Sequence, residues 1–119
     1  METAIDPQVR WDLANETVRR YGEMSADFSH KMAKRIKRKF HTNLDVATIL
    51  SLATHFKQIY EFGSSILSGY ISPSENKYAN LTDIKIDDFI SALRVQYPKE
   101  DKAIVKTISD WVIYYEYLR

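Results

Sequence analysis

The segment from Lys31 to Lys39 carries the side chains with the clearest chemical capacity in this sequence. Six of its nine residues are basic and none is acidic: Lys31, Lys34, Arg35, Lys37, Arg38 and Lys39. Clustered cations contact phosphates and release counterions as they do so. The segment therefore predicts a surface for nucleic-acid backbone, and Arg20 extends it because it falls on the same side of a helix three turns earlier.

The residue types in this segment favour contact with phosphates over recognition of base sequence. Base edges in the major groove are read by pairs such as Arg with guanine and Asn or Gln with adenine. No Asn or Gln interrupts the basic run. We therefore expect binding without sequence specificity, as a small helical subunit of a nucleoprotein assembly would need.

Two other interpretations of the basic segment stay open. Cations near the C-terminus of a helix complement the helix dipole, so the run can be an ordinary solvated end. An acidic protein surface can also bind it, in which case the chain is an adaptor or inhibitor module.

A second candidate surface lies in the C-terminal stretch WVIYYEYLR. At helical spacing, the inward face consists of Trp111, Val112, Tyr115 and Leu118. Ile113, Tyr114 and Tyr117 then fall on the other sides of the helix. Because Tyr is enriched in interfaces, these three predict contact with a protein partner or a second copy of the chain.

The pattern of His and Cys indicates neither a metal site nor a cofactor site. His30, His41 and His55 do not pair at metal-ligand spacing, and the sequence has no Cys. It also has no Gly-rich phosphate loop and no nucleophile motif. We expect a non-enzymatic protein with no metal, no cofactor and no small-molecule substrate.

One enzymatic alternative rests on Arg35 and His41, which are separated by five residues. This spacing resembles the Arg-x(4–6)-His motif of small helical ribonucleases of the HEPN type. The resemblance implies that the Arg stabilises a pentacovalent phosphate and that the His moves protons. The chain departs from that family's pattern at Ile36, where a polar residue usually follows the Arg.

Length and composition favour one small domain. The chain has 119 residues and a net charge of +1. Outside the six cations of the basic segment, eleven basic residues face sixteen acidic ones, so the rest is mildly acidic. The N-terminal residues do not resemble a signal peptide, and no stretch has the roughly 20 apolar residues that span a bilayer. We expect a single cytoplasmic domain, residues 1–119, that does not contact membranes.

The elements that position the basic segment are predicted to be helices. Asp6 and Pro7 start the first one as an N-cap and first-turn proline. Apolar residues then recur at steps of three, four or seven: Trp11, Ala14, Val18, Tyr21, Phe28, Met32, Ile36 and Phe40. This predicts one long or kinked helix, although Gly22 can divide it into two, with Ser25 as the second N-cap.

The rest of the chain continues the helical pattern. Residues 46–70 form a largely apolar central helix, residues 72–82 a polar loop, and two amphipathic helices follow on either side of Pro98. No segment predicts a β-strand. The fold class expected is therefore all-α, an antiparallel bundle of four or five helices with a long or kinked first helix.

Overall fold

The structure, a computed structural model, describes residues 5–20, 27–72 and 81–118. The predicted all-α helical bundle is confirmed. Five α-helices lie in the described ranges: α1 (Pro7–Arg19), α2 (Phe28–Phe40), α3 (Val46–Ile66), α4 (Ile86–Gln96) and α5 (Lys102–Ile113). Two 3₁₀ turns (Leu67–Tyr70 and Leu81–Asp83) and a π-helical turn (Tyr114–Leu118) complete them. The β-type backbone pairing in these ranges is limited to one isolated antiparallel bridge, between Ile71 and Ile84.

Helix α1 begins as its sequence predicts. The Asp6 carboxylate accepts a hydrogen bond of 2.8 Å from the backbone N–H of Gln8, and Pro7 occupies the first turn. Such a cap satisfies one of the N–H groups that have no partner inside the helix.

The single long or kinked first helix is replaced by two separate helices. Arg35 on α2 lies 2.9 Å from Asp12 on α1. In a continuous helix these residues would be about 35 Å apart, at 1.5 Å per residue. The chain therefore reverses direction between α1 and α2, and the two-helix alternative holds. Gly22 and Ser25, the predicted break and cap, lie outside the described residues.

Contacts within the chain define two compact units, Met1–Lys57 and Gln58–Arg119, whose boundary falls inside α3. The first has ten basic and seven acidic residues, a net charge of +3. The second has seven basic and nine acidic residues, a net charge of −2. The predicted cationic surface belongs to the more basic unit.

In the first unit, the buried side chains recur at helical spacing along each helix. They are Val9, Leu13, Ala14 and Val18 on α1, Phe28, Met32 and Ile36 on α2, and Ile49, Ala53 and Phe56 on α3. Arg10 also lies over the Phe56 ring, 5.2 Å from its centroid. The apolar stripe of α2 is thus buried, and its other face is left for solvent or a partner.

In the second unit, Gly63 lets α3 approach two helices closely. A Cβ atom there would lie 3.3 Å from Val112 Cγ2, 3.4 Å from Phe89 Cζ and 3.5 Å from Leu93 Cδ2. All three partners are fully buried. The hydrogen at this position therefore leaves room for α4 and α5 to pack on α3.

Candidate nucleic-acid interface

Helix α2 is continuous over the whole basic segment. Met32 and Ile36 are buried, whereas Lys31, Lys34, Lys37, Arg38 and Lys39 are exposed. The helix ends at His41, whose backbone adopts the left-handed conformation (φ 55°) and whose N–H donates to the carbonyl of Lys37 over 3.0 Å. One amphipathic helix thus carries all six cations, as the spacing predicts.

Arg35 forms a bidentate ion pair with α1. Its Nε and Nη2 atoms each donate to one carboxylate oxygen of Asp12 over 2.9 Å, and Nη2 also lies 3.8 Å from Glu16 Oε1. The Arg35 hydrogen bonds lower the pKa of the nearly buried Asp12 carboxyl, and the same bonds raise the pKa of Arg35. Arg35 therefore joins α1 to α2, and its guanidinium is already engaged.

Two other predicted cations are paired with the same two acids. Lys39 Nζ lies 3.3 Å from Asp12 Oδ1, and Arg20 Nε lies 3.2 Å from Glu16 Oε2. Arg19 also contacts Glu16, at 2.9 Å. Sequence spacing could not show the Lys39 pair, because only the reversal of the chain brings Lys39 to Asp12. The two Glu16 pairs are local, at i,i+4 for Arg20 and i,i+3 for Arg19, so their spacing was a signal that the sequence did contain.

The remaining cations form a narrower surface, which we call the cationic face: Lys31, Lys34, Lys37 and Arg38. Within the described residues, no carboxylate lies within 4.0 Å of Lys34, Lys37 or Arg38. Lys31 lies 3.5 Å from Asp27, but both side chains are more than half exposed, and such pairs are weak. At 100° per residue these four cations span an arc of about 120°.

A groove adjoins the cationic face. It is lined by Ala33, Lys34 and Lys37 of α2 and by Asn43, Leu44 and Asp45 of the turn that leads into α3. Its volume is about 360 Å³ and it is open to solvent. Asp45 caps α3 by accepting a hydrogen bond of 2.9 Å from the backbone N–H of Thr48. Hydrogen bonding from Thr48 lowers the pKa of the Asp45 carboxyl, which keeps it anionic.

The predicted C-terminal interface is wrong for Ile113, which is 2% exposed. The buried arc of α5 runs through Ile108 and Val112 and extends to Ser109 and Ile113. The predicted inward face was therefore centred too far toward Trp111 and Tyr115, which are only half-buried.

The two tyrosines of that interface differ from each other. The Tyr117 hydroxyl donates to Asp83 Oδ2 over 2.7 Å, so its polar end is already used. Tyr114 is 48% exposed. Its ring contacts the rings of Trp111 and Tyr115, with centroid distances of 5.8 Å and 5.3 Å. Of the three predicted interface residues, only Tyr114 offers a largely exposed side chain.

The Arg35 and His41 pair is not arranged as a free catalytic pair. The guanidinium of Arg35 is held by Asp12, while His41 is exposed at the end of α2. Within the described ranges, no group of three His, Cys, Asp or Glu side chains is placed to hold a metal ion. The helices in those ranges are also too short or too polar to cross a bilayer.

We compared the chain with protein-family models, characterised proteins and solved structures, and none of them matches it.

Proposed function

We propose that this protein binds nucleic-acid backbone, without sequence specificity, through the cationic face of α2. It would act as a small helical subunit of a nucleoprotein assembly. The observation that carries the proposal is the absence, among the described residues, of carboxylate partners for Lys34, Lys37 and Arg38. Cations without intramolecular partners are free to exchange their counterions for phosphates.

The ion pairs of α1 reduce the number of phosphate contacts that we expect. The sequence predicts seven contacts, but Arg20, Arg35 and Lys39 already have carboxylate partners. Four cations remain, among them Lys31, whose exposed pair with Asp27 is weak. For B-DNA, log K against log salt would then have a slope of about −3 to −4, rather than about −6 for seven contacts.

The test measures binding of a fluorescent 20-base-pair duplex by anisotropy at several salt concentrations. The test variant replaces Lys34, Lys37 and Arg38 with Gln. Its matched control replaces three exposed cations of the second unit, Lys99, Lys102 and Lys106, with Gln. The two variants lose the same charge, so a general electrostatic effect would weaken both equally.

We expect the wild type and the control variant to bind alike, and the α2 variant to lose most of its affinity at 50 mM salt. Equal losses in the two variants, or no loss in the α2 variant, would contradict the proposal. A wild type that binds neither this duplex nor a single strand of 20 nucleotides at 50 mM salt would also overturn it, and would favour an adaptor whose basic face meets an acidic protein.

A further inference from the structure

The groove beside the cationic face has three chemically distinct parts. Lys34 and Lys37 supply cations on the α2 side. Ala33 and Leu44 supply apolar surface, and Asn43 and Asp45 supply an amide and a carboxylate on the side of the turn. Its volume of about 360 Å³ lies at the lower end of small-ligand sites, roughly 300–1,000 Å³, and the groove is open to solvent.

A single nucleotide has groups that complement these three kinds of side chain. Its phosphate suits the lysines, the faces of its base suit the apolar side chains, and its base edge can hydrogen-bond to the amide and the carboxylate. A phosphate alone would not use Ala33 or Leu44, and the anionic Asp45 would repel it. The groove is therefore better matched to a nucleotide than to a bare backbone.

Only an unpaired strand can present a base in this way. In a duplex the bases are stacked and paired, and extrusion of one costs unstacking free energy. In a single strand the base edges and faces are accessible to side chains.

We infer that the groove binds one unstacked base of a single-stranded nucleic acid whose phosphates lie on Lys34, Lys37 and Arg38. This inference rests on the proposed function and adds to it the class of nucleic acid. Asn43 is exposed at the groove, so its amide can pair with a base edge. The carboxylate of Asp45 accepts from a base N–H group.

The test compares two single-stranded probes, each 12 nucleotides long and of equal charge. One is single-stranded DNA of mixed sequence, and the other has a tetrahydrofuran abasic analogue at every position. Because both carry the same phosphates, their affinity ratio measures the contribution of bases alone. We expect the wild type to bind the DNA about fivefold more tightly than the abasic strand. This ratio is at the lower end of the affinity gained from one base that stacks on an aromatic ring, because the groove has no aromatic side chain.

Two variants locate that contribution. Ala33→Leu narrows the groove while it preserves helix propensity, and Asn43→Ala removes the amide. Each should lower the affinity for DNA to that for the abasic strand, and leave the abasic affinity unchanged. Circular dichroism verifies that both variants fold.

Failure of this inference can be distinguished from failure of the proposed function. If both probes bind equally, and the α2 triple variant still loses both, the groove takes no base and only the backbone surface stands. If Ala33→Leu and Asn43→Ala retain the full preference for DNA, the base binds elsewhere and the groove assignment is wrong. If neither probe binds the wild type at 50 mM salt, the proposed function itself fails.

Discussion

Asp12 and Arg35 form a two-point ion pair across 23 residues of sequence, with both N···O distances at 2.9 Å. The Asp12 side chain is 3% exposed and that of Arg35 is 31% exposed. The pair decides two properties at once, because it joins α1 to α2 and removes Arg35 from the set of cations that can bind an anion.

Replacement of Asp12 by Asn should destabilise the fold. The variant keeps the size of the side chain but removes the carboxylate that Arg35 contacts at two points and that Lys39 contacts at one. We therefore expect a loss of about 1–3 kcal/mol in the free energy of unfolding. Urea denaturation measures it. Asp110→Asn is the matched control, because its pair with Lys106 is more than half exposed on both sides, and such pairs contribute less than about 1 kcal/mol. Equal losses in the two variants would contradict the role of Asp12.

The Asp12–Arg35 pair should also make stability depend on pH in the acid range. The pKa of Asp12 is lower in the folded protein than its ordinary value, which is about 4. The stability from this pair is therefore fully present above pH 4, and is lost as pH falls through the folded-state pKa. Urea denaturation from pH 7 to pH 2 should show that the difference in the free energy of unfolding between wild type and Asp12→Asn becomes smaller below pH 4. If this difference stays constant down to pH 2, the charge of Asp12 is not the source of the stability that the variant loses.

Removal of the Ser109 hydroxyl should stabilise the protein or leave its stability unchanged. This oxygen is fully buried and has no hydrogen-bond partner in the described part of the chain. Because a buried polar group without a partner costs about 1–3 kcal/mol, Ser109→Ala should raise the free energy of unfolding by up to about 1 kcal/mol.

Thr17→Val provides the contrast for Ser109→Ala. The Thr17 hydroxyl is also buried, but it donates to the carbonyl of Leu13 over 2.7 Å. Its loss should lower the free energy of unfolding. If thermal denaturation shows that Ser109→Ala is the more damaging change, the Ser109 oxygen has a role that its geometry does not reveal.

The π-helical turn at the end of α5 should depend on hydrogen bonds from tyrosines. Tyr117 donates to the buried Asp83, and Tyr60 donates to Glu116 over 2.7 Å. Tyr117→Phe removes a bond to a buried carboxylate, so we expect a loss of about 1–2 kcal/mol in the free energy of unfolding. Tyr114→Phe is the control, since Tyr114 is exposed and its hydroxyl makes no hydrogen bond among the described residues. Chemical denaturation in which Tyr114→Phe costs as much as Tyr117→Phe would refute this role.

Local pattern in the sequence was sufficient for the helical fold class and for the buried faces of α1 and α2, but not for the division between these two helices. Asp6 and Pro7 start α1, the spacing of Met32 and Ile36 sets the buried stripe of α2, and the opposite side carries its cations. These features depend on residues within one or two turns of each other, where helix geometry alone fixes which side chains share a face.

The tertiary structure alone decided that Arg35 and Lys39 are not available. Asp12 and Glu16 lie far from α2 in sequence, and only the reversal of the chain after α1 brings their carboxylates to Arg35 and Lys39. The same holds for Ile113, whose burial depends on how far α5 is rotated toward its neighbours. Periodicity gives the faces of a helix but not the partner of each face, because that partner is set by packing between segments that are distant in sequence.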